Sequence, residues 1–220
     1  MENIISMRLF GSHARGEADL GSDIDILLVV ENGYLEPCSE KFPRKADISV
    51  YSRDKLEQMF QEGHLFAWHL FLESVPYCSA RSEAWFMSLG TPAEYREARE
   101  DITQFMGIIE DALASMESED CYIYEAGILH LAMRNLGMIL GYLHTGKPNF
   151  SRYSALQLPE KFAPSISAPE YEMLLACRRA STRADTSGEL PSYQQVGRLS
   201  FAIRDWLDKL NLICHSKVVG

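Results

Sequence analysis

The sequence predicts an α+β protein in which a small mixed β-sheet domain, residues 1–90, precedes an α-helical bundle, residues 91–220. Strand-like and turn-like segments alternate in the first part. In the second part apolar residues recur at three- and four-residue spacing, as on the buried face of a helix. A turn signal, Gly90-Thr91-Pro92, separates the two patterns.

Three strands are expected early in the first part. Residues 7–10 form a short run that ends at Gly11-Ser12. Residues 24–30 are apolar and β-branched, interrupted only by Asp25, which is typical of a strand buried on both faces. Residues 47–51 alternate polar and apolar side chains, which is typical of a half-buried strand.

Two helices and a last strand are expected to follow. Ser52 is suited to cap a helix that begins near Asp54, because its hydroxyl can accept a hydrogen bond from a first-turn backbone N–H. A second helix covers residues 65–72, after Gly63. A last strand is expected at Tyr77-Cys78, near the edge of the sheet.

Four helices are expected in the second part. Their apolar periodicity covers residues 92–116, 122–144, 169–180 and 194–212. The stretches between the last three, residues 146–168 and 181–192, are rich in Pro, Ser, Gly and Thr, which predicts loops.

Length and composition exclude several classes of protein. The chain has 220 residues, of which 46% are hydrophobic and 24% charged, so it can bury a core and is not a disordered acidic tail. No apolar run approaches the roughly 20 residues that span a bilayer, and the first residues lack the pattern of a signal peptide. The five cysteines are scattered, without a C-x-x-C pair, which argues against a disulfide framework. We therefore expect a reduced, cytoplasmic protein with no membrane partner.

The net charge bears on the choice of partner. At pH 7 the formal charge is −10. Proteins that bind long nucleic acids draw most of their affinity from Lys and Arg that neutralise phosphates. The charge therefore makes long DNA or RNA a poor default partner.

Three aspartates form the candidate metal site. Asp23 and Asp25 stand two residues apart at the entrance of the predicted strand, so their side chains share a face and lie about 7 Å apart along the chain. If the strand that carries Asp47 pairs beside it, a third carboxylate joins that face. Such oxygen ligands favour Mg²⁺ or Mn²⁺, and two ions about 3.5–4 Å apart can support an in-line phosphoryl displacement.

The Gly11-Ser12 turn is the candidate phosphate site. It follows a strand and precedes a segment that could form a helical turn. Its backbone N–H groups and hydroxyl could hold the phosphates of a nucleotide, because Gly11 has no Cβ to keep a phosphate away from the backbone. Ser12 could also cap the helical turn.

These motifs resemble a known superfamily. The run G-S-x-A-R-G, then S-D-I-D-I-L-L-V and a later Asp on a strand, is similar to the DNA polymerase β-like nucleotidyltransferases, in particular the minimal bacterial and the antibiotic nucleotidyltransferases. The clear match covers about residues 7–51. The helical part resembles, in class alone, the bundles of kanamycin-type nucleotidyltransferases and of the nucleotidyltransferase–HEPN group.

The resemblance implies a reaction and roles for these residues. It implies transfer of a nucleoside monophosphate from an NTP, with ATP expected, to an acceptor hydroxyl, with release of pyrophosphate. Asp23 and Asp25 would bind two Mg²⁺ ions, for which Mn²⁺ could substitute. Asp47 would bind the catalytic ion and help to deprotonate the acceptor. Gly11 and Ser12 would bind the triphosphate.

Each of three further residues has two possible interpretations, one functional and one structural. Arg15 could contact a phosphate or form a structural salt bridge. Lys147, in a loop after Gly146 as helix C-cap, could complete the triphosphate site or be a solvated lysine. Glu125 could be a general base or an ordinary exposed helical residue.

The acceptor is open among several alternatives. An acidic cleft between sheet and bundle would attract a cationic small molecule such as an aminoglycoside, and the appended bundle favours this class. A protein hydroxyl, as in the minimal enzymes that AMPylate a partner, is the second alternative, and an RNA hydroxyl ranks third because of the charge. From another class, the chain could be a non-catalytic nucleotide-binding module whose bundle mediates homodimerisation.

Overall fold

The computed structural model describes residues 4–19, 21–31, 42–43, 45–77, 80–116, 119–183 and 189–216. A small mixed four-stranded sheet is followed by a mostly helical region, which confirms the predicted α+β class. Contacts divide the chain into two compact units, Met1–Glu97 and Ala98–Gly220.

The sheet of the first unit has the strand order β3-β2-β1-β4. Its strands are β1 (Ile4–Phe10), β2 (Ile24–Val30), β3 (Ala46–Ser52) and β4 (Val75–Pro76). β2 pairs in parallel with β3, whereas β1 is antiparallel to both β2 and β4. The sheet is therefore mixed, and β2 lies inside it. The prediction of a last strand at Tyr77-Cys78 is wrong for Tyr77, which lies just after β4, whereas Cys78 lies outside the described residues.

The central strand separates two apolar clusters. Leu27 and Val29 belong to a cluster on one face of β2, together with Phe10 and helical residues such as Leu56 and Leu70. Alternate residues of the same strand and of β1 form the second cluster, Met7, Ile26 and Leu28. Because successive side chains of a strand point to opposite faces, the uninterrupted apolar run of β2 is required by its burial on both sides.

Within the residues that the structure describes, the first unit has four α-helices. They are α1 (Gly11–Arg15), α2 (Arg53–Glu62), α3 (Leu65–Glu73) and α4 (Ala80–Ser88). The cap predicted for α2 is confirmed, because Ser52 Oγ accepts a hydrogen bond from Lys55 N at 3.2 Å. The sequence reading did not anticipate α4. A buried arginine holds this helix to the sheet, since Arg8 Nη1 donates to Glu83 Oε2 at 2.7 Å and the guanidinium lies 3.8 Å from the Phe86 ring centroid.

The second unit is helical throughout its regular structure. Its elements are α5 (Ala98–Ser115), a short 3-10 helix (Glu119–Cys121), α6 (Tyr122–Thr145), α7 (Ala168–Arg183) and α8 (Tyr193–Ser216). The predicted helix over residues 92–116 begins too early, because residues 92–96 have no helical backbone. They belong to the first unit instead, where Ala93 N donates to Phe60 O at 2.8 Å.

The helix α6 is the core of the second unit. Ala126, Leu129, Met133, Leu136 and Ile139 are all buried, in agreement with the periodicity of the sequence. By length and composition α6 could also cross a membrane, contrary to the expectation from apolar runs, but 61% of its most apolar window is buried inside the protein. Core helices commonly pass the same test.

Gly63 allows the segment after Gly90 to pack closely against the first unit. It ends α2 at φ 73°. A Cβ built on it would lie 2.3 Å from Glu94 O and 2.5 Å from Ala93 O. The backbone at Ala93 and Glu94 is therefore in direct contact with the end of α2.

Gly63→Ala tests this contact against a matched control. Gly90 has φ 69° and no atom within 4 Å of the position of its Cβ, so Gly90→Ala measures the left-handed backbone alone. We expect Gly90→Ala to lower the free energy of unfolding by about 1–2 kcal/mol. Gly63→Ala should cost at least about 2 kcal/mol more, because backbone atoms must move. Equal losses in urea denaturation would contradict the contact.

Candidate active site

The sheet register brings two of the three predicted aspartates side by side. Asp25 of β2 is the register partner of Asp47 of β3, and on its other side it pairs with Phe10 of β1. Because paired residues of neighbouring strands point to the same face, the two carboxylates project together. Asp23 stands directly before β2, two residues from Asp25 and therefore in line with the same face.

The approach to Asp23 is a tight turn held by side chains. Asp19 Oδ1 accepts hydrogen bonds from Gly21 N at 3.0 Å and from Ser22 Oγ at 2.9 Å. The hydroxyl of Ser22 in turn accepts from Asp19 N at 2.9 Å, and this serine is buried. The Gly-Ser before the aspartates thus sets the direction in which the chain enters β2.

Gly11 lies directly against the Asp25 carboxylate. It is the first residue of α1, at φ 68°, and a Cβ built on it would lie 2.1 Å from Asp25 Oδ2. Both the positive φ and the lack of space exclude other residues. The predicted phosphate turn and the predicted metal strand are thus packed together at one corner of the sheet.

Ser12 occupies the first turn of α1 and is half-buried. The N-cap of α1 is Phe10 and has no side-chain capping bond, so the expectation that Ser12 caps this turn is wrong. The Ser12 carbonyl accepts from Glu17 N at 2.9 Å, which closes the C-terminal side of the turn with Gly16 at φ 72°. Its phosphate contact stays a prediction.

Arg15 forms the salt bridge that was one of its two readings. Its Nη1 lies 2.6 Å from Glu73 Oε2 and its Nε 2.9 Å from Glu17 Oε2. His69 Nε2 approaches the same oxygen of Glu73 at 3.0 Å. These contacts fasten α1 to α3. The part of Arg15 in phosphate binding stays a prediction.

Glu73 was missed in the sequence reading. Its signal was its spacing of four residues from His69, which places both on one face of α3. Burial by itself raises the pKa of the Glu73 carboxyl, but hydrogen bonds to His69 and Arg15 outweigh it and hold this pKa below its ordinary value. Glu73 is therefore an anion in the folded protein at neutral pH.

Aromatic rings pack around Phe10, the residue that precedes Gly11 and pairs with Asp25. Phe10 makes edge contacts with Phe66 and with the His69 ring, each at 5.5 Å between centroids, and Tyr51 lies 5.5 Å from Phe66. Phe66 packs against the apolar cluster of this face, and Trp68 donates from Nε1 to Ala93 O at 3.0 Å. Both rings therefore have structural contacts within the first unit.

The residues at this corner suit a divalent cation. Within the described residues, no three His, Cys, Asp or Glu side chains already form a metal cluster. The ligand atoms that the fold aligns are carboxylate oxygens, which Mg²⁺ and Mn²⁺ prefer. Asp47 is exposed, so its side chain can turn toward an ion at little cost in free energy. Asp23, Asp25 and Asp47 as metal ligands and as catalytic residues remain predictions.

Two candidates lie in the second unit. Lys147 follows Gly146, which ends α6 at φ 73° as the sequence predicts, and its side chain is exposed. Thr145 Oγ1 donates to the Lys147 carbonyl at 2.8 Å and so shapes this turn. Glu125 lies in the first turn of α6, and partial burial raises the pKa of its carboxyl. The roles of both residues stay predictions.

A comparison with protein families finds a similarity in the first unit. Residues 1–70 match the family model described as nucleotidyltransferase domain. The matched segment contains α1, β2 and β3 and therefore Gly11 and the three aspartates. No curated protein matches the chain.

Glu73→Gln tests the contact between α1 and α3. Because the pKa of Glu73 is lowered on folding, its contribution is complete above about pH 5 and is lost as the pH falls through the pKa of the folded carboxyl. We expect Glu73→Gln to lower the free energy of unfolding by about 1–3 kcal/mol at pH 7 and to reduce the further loss below pH 5. The matched control is Glu17→Gln, which removes an exposed partner of Arg15 and should have little effect. Identical pH profiles for wild type and Glu73→Gln would contradict the ion pair.

Proposed function

We propose that this chain uses its nucleotidyltransferase domain to transfer a nucleoside monophosphate from an NTP to an acceptor hydroxyl, in a reaction that depends on a divalent metal. The observation that carries the proposal is the corner of the sheet, where Asp25 is the register partner of Asp47 and packs against Gly11. Carboxylates and a phosphate-accessible turn in one place are what metal-assisted phosphoryl chemistry requires.

In the proposed reaction the acceptor oxygen attacks the α-phosphorus. An O–P bond forms, the bond from the α-phosphorus to the bridging oxygen breaks, and pyrophosphate leaves with the electron pair. The acceptor proton passes to a carboxylate oxygen of Asp47. When bound, Mg²⁺ supplies charge neutralisation and a Lewis acid. Asp23, Asp25 and Asp47 would hold it.

The protein's own residues would position the phosphates of the nucleotide relative to the carboxylates. Backbone N–H groups of the turn at Gly11 and Ser12 would bind phosphate oxygens, and the absence of a Cβ at Gly11 keeps this turn close to Asp25. Arg15 is already paired with Glu73 and Glu17, which favours a positioning role over a phosphate contact. Most of the catalytic effect would come from fixed geometry and charge.

A cationic small molecule such as an aminoglycoside is the acceptor class that we favour, with ATP as donor, in the cytoplasm. The formal charge of −10 would attract a polycation and repel long nucleic acid. A protein hydroxyl is the second candidate. A nucleotide-binding module without activity is the third, and the presence of all three aspartates argues against it.

Asp25→Asn tests the metal site. We expect pyrophosphate release from ATP, with Mg²⁺ and an aminoglycoside, to fall about 100-fold or more, because a ligand charge is removed from the centre of the site. The control Asp54→Asn changes an exposed aspartate in the first turn of α2 and should retain full activity. Equal activity of Asp25→Asn and wild type would refute the metal assignment.

The acceptor is identified by parallel reactions. Pyrophosphate release with an aminoglycoside supports a small-molecule acceptor, and label transfer from α-³²P-ATP to protein supports the alternative. Nucleotide binding without pyrophosphate release for any acceptor would favour the non-catalytic module.

Gly11→Ala tests the contact with Asp25. The matched control is Gly16→Ala at the other end of α1, where φ is 72° and nothing lies within 4 Å of the position of a Cβ. Both changes strain the backbone, but only the methyl at residue 11 displaces the Asp25 carboxylate. We expect Gly11→Ala to abolish pyrophosphate release while Gly16→Ala retains it within about tenfold. Similar activity in both variants, each shown to be folded by circular dichroism, would contradict the proposed role of the contact.

A further inference from the structure

The outer face of α8 carries the two most exposed large apolar side chains among the described residues. Phe201 is 75% exposed and Leu212 is 74% exposed. They are eleven residues apart, which is close to three helical turns, so both project from one face of α8. Ile203 and Trp206 project from the opposite face and are buried. Two large apolar side chains along one exposed helix face are typical of an interaction surface.

Two opposite charges lie between these apolar residues. Arg204 and Asp208 are both exposed, three and seven residues after Phe201, and such spacing keeps them on the same face. Arg204 Nη2 donates to Leu113 O at 3.3 Å, which uses one of the five N–H donors of the guanidinium. In chain order this face is therefore apolar, basic, acidic and apolar. We call it the α8 stripe: Phe201, Arg204, Asp208 and Leu212.

A groove of about 520 Å³ opens beside Phe201. One wall contains Leu113 and Met116, at the end of α5, and both are buried. Gly197 and Ser200 of α8 line the other side. Beyond its own helix, no atom of the described residues lies within 4 Å of the position that a Cβ of Gly197 would take. A glycine inside a helix weakens the helix, and here it leaves an apolar opening that an aliphatic side chain can enter.

We infer that the α8 stripe is a self-association surface, on which two copies of this chain pair their α8 helices antiparallel about a twofold axis at the level of Trp206. With that axis, Ser200 of one helix stands opposite Leu212 of the other. Each Leu212 then enters the groove of the other copy, next to its Phe201. The four most exposed apolar side chains of the two α8 helices are covered together.

The charges of the stripe favour a second copy in this orientation. Each chain has a formal charge of −10, so two copies repel one another at long range, and their association requires local attraction. With the same axis, Arg204 of each copy stands opposite Asp208 of the other, which gives two opposite-charge pairs. In a parallel pair, Arg204 would face Arg204 and Asp208 would face Asp208. The α8 stripe is thus self-complementary when the helices are antiparallel.

Sedimentation equilibrium of the full chain tests the association. We expect a reversible dimer with a dissociation constant on the order of micromolar, because one helix face gives a small interface. Leu212→Glu should raise this Kd about tenfold or more, since it places a charge in the apolar groove. The matched control is Leu143→Glu, which changes a leucine of α6 that is 54% exposed and should leave Kd unchanged. If circular dichroism shows that Leu212→Glu does not fold, Phe201→Ser takes its place with the same expected result.

An exchange of the two charges tests the direction of the helices. Arg204→Glu and Asp208→Arg should each raise Kd about tenfold or more, because like charges then face one another. The double variant Arg204→Glu/Asp208→Arg restores opposite charges in an antiparallel dimer, so its Kd should return to within about threefold of the wild-type value. The control Arg99→Glu changes an exposed arginine of α5 and should leave Kd unchanged.

Three results would overturn the inference. The first is a wild-type chain that stays monomeric at every concentration at which it is soluble. The second is an equal Kd for Leu212→Glu and Leu143→Glu. The third is a double variant that dimerises as weakly as either single charge variant. None of these measurements uses enzymatic activity, so the outcome is independent of the proposed nucleotidyl transfer.

Discussion

The contact between Gly11 and the Asp25 carboxylate is the constraint on which the candidate site depends. It joins a turn after β1 to the first part of β2, and it exists because residue 11 has neither a Cβ nor a negative φ. Phe10 then pairs with Asp25 in the antiparallel register, and Asp25 pairs with Asp47 in the parallel register. These pairings set the positions of the two carboxylates and of the turn. The Arg15–Glu73 pair and the rings around Phe10 hold the turn from the side of α3.

Local patterns in the sequence sufficed for much of this unit. The apolar run of β2, the Ser52 cap and the Gly-Ser and Asp-x-Asp motifs are properties of a few neighbouring residues, and the structure contains each of the corresponding elements. Placing Asp47 beside Asp25 needed one assumption, that β2 and β3 pair, because the register joins residues that are 22 positions apart in the chain.

The parts that escaped prediction are those set by distant contacts. Residues 92–96 have helical spacing, but their backbone is not helical, and Ala93 N donates to Phe60 O instead. The short helix α4 is held by Glu83 to Arg8, 75 residues away, and Glu73 meets Arg15 across 58 residues. In the helical unit the ring contact between His130 of α6 and Tyr171 of α7 required the packing of two helices, and no spacing along the chain signals it.

The two-residue strand β4 also affects how readily the edge of this sheet can pair with a strand of another molecule. Pro76 is the register partner of Arg8 at one margin of the sheet. A proline has no N–H to offer to an approaching chain, and a strand of two residues provides almost no length for pairing. At the opposite margin β3 carries the exposed charge of Asp47. Proline in an edge strand, a very short edge strand and an exposed charge each make pairing with a further strand less favourable.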